Sequence, residues 1–85
     1  MKKLNLMSYE IKTSDDLKKL IEYKVENLYL QGGFCATERI DIELMLTIQQ
    51  LELFYKIDFE NNYYWEKFDD MIYLTYSEKT YLEGR

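Results

Sequence analysis

The sequence predicts a small α+β domain, and three observations support this prediction. An apolar–polar alternation typical of strands runs from Arg39 to Glu60, a helical pattern precedes it over residues 14–31, and a second helical pattern follows over residues 62–76. The 85 residues are 47% apolar and 16% aromatic, which is typical of a globular chain and too apolar for disorder. Because a chain of this length supports one hydrophobic core, we expect a single domain over residues 1–85.

The N-terminal third is predicted to form a strand followed by a long helix. Residues 3–11 alternate roughly between apolar and polar side chains, which favours a strand. Ser14 then offers a side-chain oxygen as an N-cap, and two aspartates after it suit the positive end of the helix dipole. An apolar arc follows at helical spacing, formed by Leu17, Leu20, Ile21, Val25 and Leu28. A Gly-Gly pair ends the pattern, so we place the helix at residues 14–31.

The region from Arg39 to Glu60 is predicted to form a β-hairpin. Its apolar residues fall on even positions up to Ile48 and on odd positions from Leu51 onward. A two-residue turn at Gln49–Gln50 explains this change, because the residues that flank such a turn face the same side of the sheet. The same register pairs opposite charges on the other face. Since Leu, Glu, Gln and Met favour helix, the alternative is a helix here within an all-α three-helix bundle.

The C-terminal third is predicted to add a second helix and a final strand. Apolar residues recur at three- and four-residue spacing over residues 62–76, which predicts the helix. The short tail at residues 79–82, Lys-Thr-Tyr-Leu, is the candidate strand. The resulting order, β-α-β-β-α-β, is that of split β-α-β, ferredoxin-like domains, in which two helices cover one face of an antiparallel four-stranded sheet.

The composition excludes several classes of site. The chain has no histidine, which removes His-based nucleophilic triads and His-ligated zinc sites. Its one cysteine, Cys35, forms neither an internal disulfide nor a four-cysteine zinc site, which favours a reducing compartment such as the cytoplasm. No stretch approaches the roughly 20 apolar residues of a membrane span. We therefore expect a cytoplasmic protein with no enzyme activity, no cofactor, no bound metal and no membrane partner.

The negative charge of the chain is concentrated in its C-terminal half. Residues 1–37 hold six lysines and five acidic residues, whereas residues 38–85 hold five basic and eleven acidic residues. The net charge is −5. Because a negative field repels phosphate backbones, we expect no direct nucleic-acid binding and a basic protein as the partner.

The predicted hairpin places a candidate binding surface on the uncovered face of the sheet. In the predicted register, Asp41 faces Asp58 and Met45 faces Phe54. An apolar centre rimmed by carboxylates is typical of a protein-binding surface. The candidate partner-binding residues are Asp41, Glu43, Met45, Glu52, Phe54, Asp58, Glu60, Asp69 and Asp70.

In size and charge the chain resembles the small acidic inhibitors with which phages and mobile elements block host nucleases, including anti-CRISPR and immunity-type proteins. The resemblance implies a stoichiometric nucleic-acid mimic that blocks a basic surface of a nuclease or another nucleic-acid-binding protein. The alternative is a structural or regulatory subunit that self-associates, for example as a homodimer, and whose acidity serves solubility only.

Overall fold

A computed structural model of the chain describes residues 2–31 and 39–77, which form four strands and two helices. The elements in chain order are β1 (Lys2–Asn5), α1 (Ser14–Gln31), β2 (Arg39–Met45), α2 (Ile48–Phe54), β3 (Tyr63–Phe68) and β4 (Met71–Ser77). The chain is therefore a small α+β domain, as predicted. It is consistent with a ferredoxin-like β-α-β arrangement and not with the alternative three-helix bundle.

The four strands form one mixed sheet in the order β1-β2-β4-β3. β1 and β2 pair in parallel, and α1 lies in the long connection that a parallel pair requires. β4 pairs antiparallel with both β2 and β3. The sheet is thus mixed rather than antiparallel, and the order of elements is β-α-β-α-β-β rather than the predicted β-α-β-β-α-β.

α1 confirms the prediction over its whole length. Three residues of the predicted apolar arc are fully buried, namely Leu17, Ile21 and Val25. The N-cap is Thr13 rather than Ser14, because the Thr13 hydroxyl accepts a hydrogen bond from the Asp16 amide at 3.0 Å. Neither helix within the described ranges is long and apolar enough to cross a membrane.

β1 covers only the first part of the strand predicted over residues 3–11. It ends at Asn5, whose side-chain oxygen accepts a hydrogen bond from the Met7 amide at 3.0 Å and turns the chain. The next residue, Leu6, still donates its amide to the Met45 carbonyl at 3.0 Å, and its side chain is buried. The residues that follow leave the sheet and lead to α1.

The predicted hairpin from Arg39 to Glu60 is correct in its first arm, β2, and wrong in its second, which is the helix α2. α2 begins with a capping box. The Gln50 amide donates to the Thr47 hydroxyl at 3.0 Å, and the Thr47 amide donates to Oε1 of Gln50 at 3.0 Å. The predicted turn at Gln49–Gln50 is therefore the first turn of a helix.

The predicted helix over residues 62–76 is also wrong, because this segment forms the β3–β4 hairpin. Phe68 pairs with Met71 across a two-residue turn, in which Asp69 adopts a left-handed backbone conformation with φ 56°. Aromatic and β-branched residues are enriched here, and their preference for strands exceeds the helical spacing signal. The strand predicted at residues 79–82 lies outside the described residues.

One hydrophobic core lies between the sheet and the two helices. Its buried residues are Leu6, Leu17, Ile21, Val25, Ile42, Leu44, Phe54, Ile72 and Leu74. Phe54 fixes α2 to the sheet, because its ring meets the Trp65 ring edge-on with centroids 4.9 Å apart. Since side chains alternate along a strand, the other face of the sheet points away from this core.

Candidate functional site: an acidic and aromatic sheet face

The sheet face opposite the core is the candidate site, and we call it the open face. Its side chains are those of Lys3, Asn5, Arg39, Asp41, Glu43, Met45, Tyr64, Glu66, Phe68, Met71, Tyr73 and Thr75. The strand register aligns these residues in rows across the sheet, with neighbouring strands about 4.8 Å apart. One row runs from Lys3 through Glu43 and Tyr73 to Glu66.

Each of the three carboxylates on the open face is held by a hydroxyl group. The three pairs are Asp41 with Thr75, Glu43 with Tyr73, and Glu66 with Tyr64. In the first and third pairs the hydroxyl donates to a carboxylate oxygen at 2.8 Å. Carboxylates fixed in this way lose little further freedom on binding, so their charges are preorganised.

The pKa of both tyrosine hydroxyls on the open face is raised, by desolvation and by the neighbouring carboxylates. For Tyr64 the main cause of the raised pKa is the hydrogen bond to Glu66, followed by the charge of that carboxylate. For Tyr73 the main cause of the raised pKa is desolvation, followed by the hydrogen bond to Glu43 and the charges of Glu43 and Asp69. Both hydroxyls therefore remain protonated donors well above neutral pH.

Two cations neutralise part of the charge at the β1–β2 side of the face. Nζ of Lys3 lies 3.8 Å from Oε1 of Glu43, and Nη2 of Arg39 lies 3.3 Å from Oδ2 of Asp41. The Lys3 and Arg39 side chains are 69% and 63% exposed. Solvent screens such pairs, so each of them contributes little to the stability of the fold.

The open face becomes more negative toward the β3–β4 turn. Glu66, Asp69 and Asp70 are exposed, and none of them forms an ion pair with a basic side chain within residues 2–31 and 39–77. Lys67 lies on the opposite face of β3 and donates its Nζ to the Asp69 carbonyl at 2.7 Å. The strongest negative potential of the face therefore lies at the end formed by β3 and the turn.

Exposed aromatic rings accompany these carboxylates. Phe68 is 66% exposed and Tyr64 is 53% exposed. The Phe68 ring lies edge-on to the Tyr73 ring, with centroids 6.3 Å apart. Such rings provide a large contact area at a low cost in conformational entropy, as they do at protein–protein interfaces.

The predicted positions on the sheet face are confirmed for the β2 residues and wrong for Phe54, and partner binding by these residues stays a prediction. Asp41, Glu43 and Met45 lie on the open face, as predicted. Phe54 is fully buried, because α2 directs its ring into the core. The predicted contact between Met45 and Phe54 is therefore absent, and Met45 pairs instead with Asn5 of β1.

The remaining predicted residues lie outside the open face. Glu52, Asp58 and Glu60 are exposed on α2 and in the loop before β3, and Asp69 and Asp70 form the turn at its edge. The like-charge pair predicted for Asp58 on the sheet is thus wrong, because its segment is not a strand. Contact of any of these residues with a partner stays a prediction.

The residues that β3 and β4 contribute were missed by sequence reasoning, which assigned them to a helix. Tyr64, Glu66 and Phe68 alternate with the core-facing residues of β3. A usable signal was present, because aromatic and β-branched residues flank the polar pair Asp69–Asp70 on both sides. This pattern is typical of a hairpin.

A second acidic surface lines a groove of about 460 Å³ between α1 and the start of β3. Glu22 and Glu26 of α1 line it together with Glu60, Tyr63 and Tyr76. Burial is the main cause that raises the pKa of the Tyr63 hydroxyl, and the negative charges around it, chiefly Glu22, raise the pKa further. The predicted residue Glu60 thus belongs to this groove rather than to the open face.

No family model, curated protein or solved structure matches this chain. Within the part of the chain that the structure describes, no group of three or more acidic or cysteine side chains is arranged to hold a metal ion. The open face thus presents hydrogen-bonded carboxylate acceptors with exposed aromatic rings beside them.

Proposed function

We propose that the protein is a non-enzymatic binding protein whose open face docks onto a basic surface of a nuclease or another nucleic-acid-binding protein. The observation that carries this proposal is the set of hydroxyl-anchored carboxylates beside exposed aromatic rings. Guanidinium and ammonium groups form their strongest hydrogen bonds with such carboxylates. The Phe68 and Tyr64 rings supply contact area that water leaves when the partner docks.

The charge distribution supports a basic partner over a neutral one. Residues 39–77 hold eight carboxylates and three basic side chains, and these residues build most of the open face. A surface of one sign steers an oppositely charged partner and raises the association rate, while it repels nucleic acid. In this role the protein occupies the partner's nucleic-acid site and acts as a stoichiometric, cytoplasmic inhibitor.

The proposal is tested by inhibition of purified nucleases that have basic DNA- or RNA-binding grooves. We expect loss of cleavage at one protein chain per enzyme active site, and an association rate that falls steeply between low and high salt. Calorimetry gives the stoichiometry, and stopped-flow fluorescence of Trp65 gives the rate. Inhibition whose rate is independent of ionic strength would contradict the proposed steering.

A pair of variants with equal charge change assigns the effect to the open face. Glu66→Lys with Asp70→Lys reverses two exposed carboxylates at the negative end of this face. The control, Glu10→Lys with Glu26→Lys, reverses two exposed carboxylates that are not among the candidate partner-binding residues. We expect the first variant to lose inhibition and the control to retain most of it. Equal losses in both variants would show that net charge alone, and not the open face, determines binding.

A further inference from the structure

The outer edge of β3 carries backbone groups that no other strand of the described residues uses. The Ser77 amide donates to the Asn62 carbonyl at 3.0 Å, which sets the even-numbered residues of β3 as the hydrogen-bonded partners of β4. The odd-numbered residues, Tyr63, Trp65 and Lys67, therefore direct their backbone groups outward. The Tyr63 amide is used in a turn. The amides of Trp65 and Lys67 face the edge, and β3 is the terminal strand of the sheet within the described residues.

We infer that this edge pairs antiparallel with β3 of a second copy of the chain, which joins two sheets into one of eight strands. The two-fold axis passes at Trp65, so that Trp65 pairs with Trp65 of the second copy. Two hydrogen bonds then join this central pair. On each side, the Lys67 amide donates to the Tyr63 carbonyl of the second copy, which leaves the turn hydrogen bond of Tyr63 intact.

The side-chain sequence of β3 favours this register over its neighbours. With the axis at Trp65, Glu66 faces Tyr64 and Lys67 faces Tyr63, so no like charges oppose each other. Moving the axis to Glu66 or to Lys67 places each of these charges opposite its own copy, which destabilises a pair. An axis at Tyr64 opposes no like charges but pairs only residues 63–65 of β3, whereas the axis at Trp65 pairs residues 63–67. The alignment at Trp65 therefore joins the longest stretch of strand without a like-charge pair.

Exposed aromatic side chains lie where this interface would form. The Tyr55 ring, which is 50% exposed, packs beside Trp65 with centroids 5.9 Å apart. Backbones in a hydrogen-bonded antiparallel pair approach to a Cα–Cα distance of about 5.5 Å. The pairing therefore brings Tyr55 and Trp65 of both copies into one aromatic row on the helix side of the sheet. Tyr64, 53% exposed, then lies beside Glu66 of the second copy on the open face.

The oligomeric state of the full chain tests this inference. Sedimentation equilibrium is expected to give twice the chain mass of 10.4 kDa, with dissociation on dilution. Lys67→Pro removes one outward amide without removing a hydrogen bond to β4, and we expect it to shift the mass to that of the monomer. The control Lys67→Ala removes the same side chain but keeps the amide, and we expect it to remain a dimer.

Hydrogen exchange tests the same strand pairing in the wild-type chain, without any substitution. In the wild-type chain, exchange of the Trp65 and Lys67 amides is expected to slow as the protein concentration rises, while the exposed N-terminus of α1 is unaffected. A monomer at every concentration would overturn the inference, as would a dimer that Lys67→Pro leaves intact. Slow exchange of both amides in a monomer would also overturn it, because another part of the same chain would then cover this edge.

Discussion

Gln50 is a buried polar residue whose removal tests how α2 is held against the rest of the fold. Its side chain is 4% exposed. Nε2 of Gln50 donates to the Leu6 carbonyl at 2.7 Å and to the Tyr9 carbonyl at 3.2 Å, while Oε1 accepts the Thr47 amide at 3.0 Å. One side chain thus joins the start of α2 to the segment that follows β1.

We expect Gln50→Leu to lower the free energy of unfolding by about 2 kcal/mol. The substitution removes three hydrogen bonds worth roughly 1 kcal/mol each. Burial of the similar-sized Leu side chain returns about 1 kcal/mol of apolar transfer energy. The Leu6 carbonyl keeps its hydrogen bond from the Tyr9 amide at 3.1 Å, which prevents a larger loss. In a domain of this size, 2 kcal/mol corresponds to a drop of roughly 10 °C in Tm.

Urea unfolding followed by Trp65 fluorescence measures this change, because the Trp65 ring contacts Phe54 of α2. The matched control is Gln49→Leu, which introduces the same side chain at the exposed neighbouring position and should change stability by less than about 0.5 kcal/mol. If Gln50→Leu is as stable as this control, the hydrogen bonds of Gln50 do not stabilise the fold and the reasoning fails.

Phe54→Ala should lower the free energy of unfolding, measured by thermal unfolding, by about 3–5 kcal/mol, whereas Phe68→Ala should lower it by less than about 0.5 kcal/mol. Comparable losses in the two variants would contradict the burial of Phe54. The pKa of Tyr63 is raised in the folded state, so above about pH 10 its hydroxyl ionises in the unfolded chain before it does so in the folded one. The contribution of Tyr63 to stability is therefore complete below about pH 10 and is lost as the pH rises further. Tyr63→Phe should therefore reduce the alkaline loss of stability in urea titrations above pH 10, and an unchanged loss would contradict this. Asp69→Gly should raise stability by about 0.5 kcal/mol by relieving its left-handed backbone, whereas Asp70→Gly should not, and equal effects in calorimetry would refute the argument.

The elements that sequence reasoning predicted correctly are those in which one periodicity continues without competition. α1 repeats its apolar arc over about three turns, and β2 alternates Ile40, Ile42 and Leu44 against charged residues. In the seven-residue α2 the two periods are hard to separate, since Leu51 and Leu53 also fit the alternation of a strand. The Thr47-x-x-Gln50 capping box was a local signal for this helix that the sequence prediction did not use.

The open face was predicted only in its β2 part, because strand neighbours depend on long-range pairing. Alternation along β2 places Asp41 and Glu43 on one face without any knowledge of the rest of the sheet. Their neighbours, Thr75 and Tyr73, lie more than 25 residues away in the sequence and belong to a segment assigned to a helix. The hydroxyl groups that fix the carboxylates were therefore beyond the reach of local patterns.

The two proposed contacts are linked by the geometry of an antiparallel strand pair. In the inferred dimer, Tyr64 of one copy faces Glu66 of the other on the same side of the sheet, so the two open faces form one continuous surface. This surface would carry twice as many carboxylates as one chain. Its attraction for a basic partner would therefore fall more steeply as salt is added. The Lys67→Pro monomer should therefore bind a basic nuclease with a weaker salt dependence of the association rate than the dimeric Lys67→Ala control. Identical salt dependence would show that the open face of the second copy does not contribute to the field that steers the partner.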